Sequence, residues 1–432
     1  MSPLLTDFAG VSIYALGFAR GGAADKYFIA TGKTANTTYS SSVSTNATGT
    51  ILWGFYEATA AKYYLAPFSA DGTVGTIYGG SIYNTAIYFG NAKITSTGDW
   101  ITSWLQAAGQ GYLQPTKISA GTIQWQRRIG YYSVQNGVID FDTSGNIYSV
   151  SMVNGGWNNT GYMANLVKYN SSGTIQWQKA YTLAGNSWSK SDDLAVAASG
   201  NGIYITASYS TSNTPNTSGL AKINTDGTVA WARNSSSTSS GNPGTRVCSD
   251  ANDNAIITDQ NRLAKYNSSG TYQWAINYGS SYQNTDVAAD PSGNVYIARS
   301  DNTNLYVVKF NSSGTVQWQR SIALASGNLY LGTSVNTDGR KSITASATAV
   351  TIAASTGSKA VLFKLPLDGS ITGAYVADGG TYTIAASSQT FSSGSDIFSS
   401  VSLTANNGGG TDVANNISLS SQTPTMTTKV IP

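Results

Sequence analysis

The chain has 432 residues, a net charge of +3, only 10% charged residues and no histidine. So weak and diffuse a charge excludes the basic footprint of a nucleic-acid binder. Without histidine there is no Ser-His-Asp triad and no histidine metal site, and the lone Cys248 excludes an internal disulfide.

Hydrophobic residues are 41% of the chain, enough for a core, and the rest is rich in Ser, Thr, Asn and Gly, with 46 Gly, 27 Tyr and 10 Trp. Aromatic and β-branched residues favour strands and Asn, Gly and Ser favour turns, so an all-β protein of short strands is expected. The opening MSPLLTDFAGVSIYALGFARGG has no basic region before its apolar residues and is interrupted by Asp7. It does not read as a signal peptide. No apolar run is long enough to span a membrane as a helix.

From residue 39 to 375 one unit recurs seven times. Each copy first shows a polar turn followed by an alternating strand: NATGTILWG from Asn46, TSTGDWITS from Thr95, DTSGNIYSV from Asp142, AASGNGIYI from Ala197, DANDNAIIT from Asp250, DPSGNVYIA from Asp290 and NTDGRKSIT from Asn336. A second phrase follows each: PFSADGTVGT from Pro67, KISAGTIQW from Lys117, KYNSSGTIQWQ from Lys168, KINTDGTVAW from Lys222, KYNSSGTYQWA from Lys265, KFNSSGTVQWQ from Lys309 and KLPLDGSITG from Lys364. In the third copy Asn170 opens a type I turn and Gly173 closes it. Gly173 can take positive φ and form the bulge of a tight hairpin.

One unit is therefore a strand, a turn, a second strand, a variable connection, a third strand, a second turn and a fourth strand. Four antiparallel strands in about 45–50 residues are the size of a propeller blade. A lone sheet of this kind cannot bury both faces, whereas blades stacked into a ring can. The predicted fold is all-β: a seven-bladed β-propeller of four-stranded antiparallel blades over residues 39–375. Short β or extended segments, 1–38 and 376–432, flank it. Either flank could close the ring or dock onto a partner.

Trp125, Trp177, Trp231, Trp274 and Trp318 fall at one position of the unit, where units one and seven have Thr76 and Gly373. Recurrence at one structural position favours packing between blades over a ring that stacks on sugars or a quinone. Lys117, Lys168, Lys222, Lys265, Lys309 and Lys364 recur likewise. They would form either a cationic ring for anionic polymers or a guard on solvated strand edges. Asp250, Asn252 and Asn254 have the spacing of a calcium loop but lack its Gly and its downstream Glu, so Asp is read as a turn cap. Asp142 and Asp290 are read the same way. Carboxylate pairs for glycoside hydrolysis would have to come from residues such as Asp192, Asp193 and Glu57. No catalytic residue, metal ligand or cofactor site is assigned.

The variable connections at 155–162, 186–193 and 208–219 insert Trp, Tyr, Asn and Ser, the mixture that recognition loops use. Trp157, Tyr162 and Trp188 are the candidate ligand-contact residues.

The D-x-S-G-N-x-Y-I phrase resembles repeats of NHL-type propellers. The N-S-S-G-T-x-Q-W phrase resembles SBBP-type bacterial propeller repeats and, more distantly, the tryptophan-docked blades of quinoprotein dehydrogenases. This likeness implies a fold and leaves function open, since propellers host unrelated activities. The whole chain also resembles virion proteins of tailed phages, marine and cyanobacterial ones especially, in its MSPLLTDFAG start, sparse charge and β-rich end TMTTKVIP. That resemblance implies a non-enzymatic structural protein on the outside of the virion, in a tail fibre, spike or baseplate rather than the capsid. It would be present in several copies, attached to other virion proteins through its terminal segments, and would contact host surface polysaccharide. Nucleic acid and membrane insertion are not expected. The alternatives are a capsid decoration protein without a receptor and, in a different class, a bacterial propeller enzyme or surface sensor.

Overall fold

The structure, a computed structural model, describes residues 26–33, 38–57, 62–81, 87–106, 112–130, 134–154, 162–183, 188–210, 217–235, 245–259, 261–279, 284–331, 341–407, 411–414, 420–421 and 425–431. The described residues form strands and turns only, and the strands pair into seven blades around an axis. Blade 3 shows the plan: Val134–Phe141 innermost, then Ile147–Asn154, Tyr162–Tyr169 and Ile175–Leu183, each antiparallel to the last. The first-to-second and third-to-fourth turns lie on one side of the ring, here the turn face. The second-to-third loops and the links between blades lie on the other, here the loop face.

The two repeated phrases fold for local reasons. In blade 3 the Asp142 carboxylate accepts from Ser144 N and Asn146 N at 3.0 and 2.8 Å, and from Asn146 Nδ2 and Tyr148 OH at 2.8 and 3.0 Å. Asp290 does the same with Ser292, Asn294 and Tyr296. Asp, Ser, Asn and Tyr in the first phrase are thus one hydrogen-bonded unit. In the second phrase Asn170 Oδ1 caps Ser172 N and Thr174 N, Gly173 has φ of +77°, and the register slips between Lys168 and Tyr169, which is the expected bulge.

The blades are joined by a repeated dock. Trp125 Nε1 donates to Ser171 O of the next blade, Trp177 to Thr225 O, Trp231 to Ser268 O, Trp274 to Ser312 O and Trp318 to Leu367 O, at 2.8–3.0 Å. In four of these docks the indole lies on the turn glycine of the next blade. A Cβ on Gly173, Gly270, Gly314 or Gly369 would come within 2.5–2.9 Å of the ring. The tryptophans therefore pack between blades, as their recurrence implied.

Blades 1 and 7 keep the dock with other residues. Tyr78 lies against Gly121 of blade 2, and Phe28 against Gly72 of blade 1. Phe28 belongs to Tyr27–Lys33, which pairs with Ala360–Pro366 and so supplies the fourth strand of the last blade. Chain start and chain end thus share one sheet, which closes the ring. The seventh unit departs from the predicted phrases in two ways. Its second hairpin arm after Lys364 forms no strand in that blade, because the N-terminal strand occupies the place. Its first strand is Ile343–Ala345, with the turn at 346–348 and the second strand at Ala349–Ser355. The predicted turn at Asn336 lies outside the described residues.

The C-terminal sixty residues form a belt. Gly380–Ala386 adds to blade 6, Phe391–Gly394 to blade 5, Phe398–Ser400 to blade 4 and Leu403–Asn407 to blade 3. Thr411–Ala414 then adds to blade 2, Ser420–Ser421 to blade 1 and Thr425–Ile431 to blade 7. Each is antiparallel to the outermost strand it meets, so every blade gains a fifth strand and its backbone edge is covered. Gly373–Ala377 adds a sixth strand to blade 6. Apolar anchors fix the belt: Phe391 meets Tyr278 and Phe310 edge-on, and Phe398 meets Tyr266.

The dock makes a quantitative prediction. Gly98 (φ +86°) has open space where a Cβ would stand, whereas Gly314 (φ +84°) has Trp274 at 2.9 Å. Gly98→Ala should cost about 1–2 kcal/mol from the backbone alone, and Gly314→Ala about 1–3 kcal/mol more from the displaced indole. Urea denaturation of both variants measures the difference, and equal losses would mean that the turn alone demands glycine.

Candidate functional site

Of the three candidate contact residues, Trp157 lies outside the described residues. Tyr162 opens the third strand of blade 3 and Trp188 the first strand of blade 4. Their backbones are parallel register partners, the pair through which the sheets of blades 3 and 4 join. Two residues twenty-six positions apart in sequence thus stand side by side at the loop face.

The repeated lysines serve neither of the roles expected of them. They lie on third strands, inside the sheets, and their ammonium groups cross to the next blade. Lys168 Nζ donates to Thr225 O, Lys222 to Ser268 O, Lys265 to Ser312 O, Lys309 to Leu367 O and Lys364 to Ala70 O, at 2.6–3.4 Å. Lys168, Lys222 and Lys309 also lie 5.5–5.7 Å from the ring centres of Tyr148, Tyr204 and Tyr296. Positive charge that composition would place on the surface is spent between blades. Lys117 differs: it pairs within its own blade, with Asp99 at 3.3 Å, and among the described residues it makes no bond to the next blade. Asp250 caps Asn252 N and Asn254 N and accepts from Lys265 at 2.7 Å, so its carboxylate works as a turn cap.

The structure gathers a polar ring at the axis that the sequence reading did not assemble. Side chains of innermost strands accept backbone N–H groups from the next innermost strand. Ser42 Oγ takes Ala92 N, Asn91 Oδ1 takes Ile139 N, Asp140 Oδ2 takes Val196 N and Asp193 Oδ2 takes Val247 N, at 2.8–3.0 Å. Asp286 takes Ser342 N. Lys341 Nζ reaches both Asp193 Oδ2 and Val247 O at 2.5 Å, and Val43 N donates to Lys341 O. Asp192 accepts from Thr245 Oγ1 at 2.9 Å, while Glu57, in blade 1, accepts from Tyr64 OH.

An axial cavity of 180 Å³ is lined by Lys93, Asp140, Cys248 and Lys341 among others. That is room for about six water molecules and falls below the roughly 300 Å³ at which small-molecule sites begin. Burial pushes the Asp286 carboxyl up to about 6; the Lys341 charge opposes this and the Asp193 charge adds to it. Burial alone would lower the Lys341 pKa, but the charges of Asp193 and Asp286 overcome it and the net shift is upward. Burial also raises the Cys248 thiol above its ordinary range, which leaves little thiolate for nucleophilic work. Among the described residues no group of three or more His, Cys, Asp or Glu is arranged to hold a metal. The cluster's chemistry is that of a lock on the inner strands. Its signal in the sequence is an isolated acid inside the strand before a turn, as in VIDFD and TDVAAD.

No protein-family model matches the chain, and no curated protein matches its sequence. Similar solved structures include a gluconolactonase from Xanthomonas campestris, at 11% identity over 81% of this chain and 99% of that one, with a TM-score of 0.37. A prolyl endopeptidase matches at 11% identity over 81% of this chain, which spans 54% of that one, with a TM-score of 0.43. The WD40 domain of Pan2 from Neurospora crassa matches at 10% identity over 76% and 89% of the two chains, with a TM-score of 0.41. Likenesses this distant say nothing of activity; the seven-bladed propeller is read from the strand pairing.

Asp286 gives a pH test. Its folded pKa lies above its unfolded value, so its contribution is full below about pH 4 and is lost as pH rises through about 6. Asp286→Asn removes that loss. The variant should gain on the parent by on the order of 2–3 kcal/mol between pH 4 and pH 7, measured by denaturant titration at both. A gain that does not grow with pH would show that Asp286 is not held in this way.

Proposed function

We propose that the chain is a rigid display scaffold whose loop face contacts neutral, hydroxyl-rich surface polymers, and that it works on the outside of a particle, as in a phage tail fibre, spike or baseplate. The observation that carries this reading is the separation of constant from variable parts. The repeated tryptophans and five of the six repeated lysines are engaged in holding blades together, while the connections that differ between units leave from the loop face. Tyr162 and Trp188 flank each other there. Rigid aromatics among Ser and Asn suit weak, repeated contacts to glycans, and several copies per particle would multiply such contacts into useful avidity. Sparse net charge suits a surface that must not adhere indiscriminately to nucleic acid or membrane. The mechanism is binding, with no bond made or broken.

A second reading has one observation behind it. Asp140, Asp193, Asp286 and Lys341 converge at the axis, a place where a propeller enzyme or sensor would act on a small molecule. The small cavity and the engagement of these carboxylates with backbone N–H groups favour the scaffold.

The deciding experiment is a glycan array and host-cell adsorption assay with the purified chain. Binding to neutral polysaccharide is expected, with Trp188→Ala and Tyr162→Ala each weakening it about tenfold, equivalent to about 1.4 kcal/mol. Depolymerisation of the bound glycan would replace the scaffold with an enzyme. Binding to no glycan or cell would leave the decoration protein without a receptor.

A further inference from the structure

On the turn face, remote from Tyr162 and Trp188, a groove of 550 Å³ runs from blade 2 across blade 3 to blade 4. Its size lies in the range of about 300–1,000 Å³ of small-molecule sites. Two pairs of neighbouring turns touch on this face: Asn46 Nδ2 donates to Thr95 O, and Ser199 N to Asp253 Oδ1. Among the described residues no hydrogen bond joins the turn at 95–99 to that at 142–146, and Gly98 faces open space.

The sequence departs from its repeat at the same place. In blades 3, 5 and 6 the turn opens with Asp and its fifth residue is Asn; in blade 2 it opens with Thr95, and Asp99 is fifth. Thr95 Oγ1 replaces the opening Asp as cap of Asp99 N, at 3.0 Å, and the Asp99 carboxylate stands where the other turns place an Asn amide that bonds the opening Asp. That carboxylate meets Lys117, the repeated lysine that does not cross to the next blade. At the inner end Asp140 pairs with Lys93 at 3.3 Å and lines both groove and axial cavity. Asp99, Lys117 and Asp140 line the groove and keep 12–22% of their side-chain surface exposed, so they remain reachable; Lys93 lines the axial cavity.

We propose that this groove binds a neutral saccharide. Lys117 pairs with Asp99, and Lys93 pairs with Asp140 from the axial cavity, while the Asp142 carboxylate is taken up by its own turn, so these groups carry one surplus negative charge and an anion is disfavoured. Adjacent hydroxyls of a sugar can instead donate to a carboxylate and accept from an ammonium at once, as charge-assisted hydrogen bonds. Phe141 offers an apolar wall, and Thr97 and Thr143 add hydroxyls. The site is separate from the loop-face contacts and does not rest on them.

The test is ligand-observed NMR with glucose, galactose, maltose and lactose, beside glucose 6-phosphate and glutamate as charged comparators. Neutral sugars are expected to bind. Lys117→Gln and Asp99→Asn should each weaken them about tenfold. Ala198→Trp, at an exposed position on the groove rim, should abolish binding while melting stays near the parent's. Trp188→Ala should change nothing. The proposal is overturned if no neutral sugar binds, if the charged comparators bind better, or if the groove variants bind like the parent. Small sugars lost only with Trp188→Ala would sink the groove and leave the loop-face reading standing. Loss of polymer binding with small-sugar binding kept would do the reverse.

Discussion

An aromatic ring seated on a left-handed glycine of the next blade is the contact on which the rest of this molecule depends. A four-stranded sheet with two apolar faces is not stable alone; it needs neighbours at a fixed distance and angle. The dock sets both. The ring cannot approach unless the turn residue lacks a Cβ, and the turn cannot close its bulge unless that residue takes positive φ, so one glycine answers two demands. The indole N–H and the lysine ammonium then meet carbonyls of the same turn, as Trp274 and Lys265 both meet Ser312 O. Apolar contact, backbone conformation and hydrogen bonding agree at one point, which is why the phrase can be copied around the ring with little change.

A ring of such docks closes only if its first and last members meet. Phe28 on the N-terminal strand seats on Gly72 of blade 1 while pairing in blade 7, so the closure repeats the same contact across the ends of the repeat array. The belt adds a second closure of a different kind. It visits the blades against their order in the chain and pairs only with their outer edges, so it has nothing to add to until the blades exist. Pairings such as Ser420 with Gly79 span most of the chain, and contacts of that separation form slowly. The belt is thus expected to be the last element to assemble and the first to lift, with buried anchors such as Phe398 and Met426 setting how firmly it is held.

Legibility in the sequence follows from the range of the interaction. Turns were readable because Asp142, Asn170 and Gly173 act within five residues of themselves. The number of blades was readable because those turns repeat. The belt was not, since its strands carry no turn phrase and find their partners hundreds of residues away. The lysines were misread for a related reason: their strand was identified, but the acceptor of each lies in the next unit. At the axis, Asp140, Asp193 and Asp286 were visible singly, and only ring geometry shows that each reaches the strand beside it. Trp188 and Tyr162 stand out in sequence for their loops, and their adjacency is a product of neighbouring blades packing side by side.

Repetition also offers a way to separate structure from function inside one chain. Where seven units share a residue, the residue answers a demand that all seven junctions make. Where one unit departs without loss of the fold, the departing residue is free for something local. Tyr78 and Phe28 depart in identity but still dock, so those changes are structural substitutions. Lys117 and Asp99 depart and pair with each other: the lysine leaves the junction, the carboxylate stands where other turns carry Asn, and the groove lies open beside them. That junction forgoes the lysine contact that the five junctions after it keep, while Trp125 and Arg127 still cross it. Such a loss persists where the released groups are put to another use, and two opposite charges facing a cleft of ligand size are fitted to one.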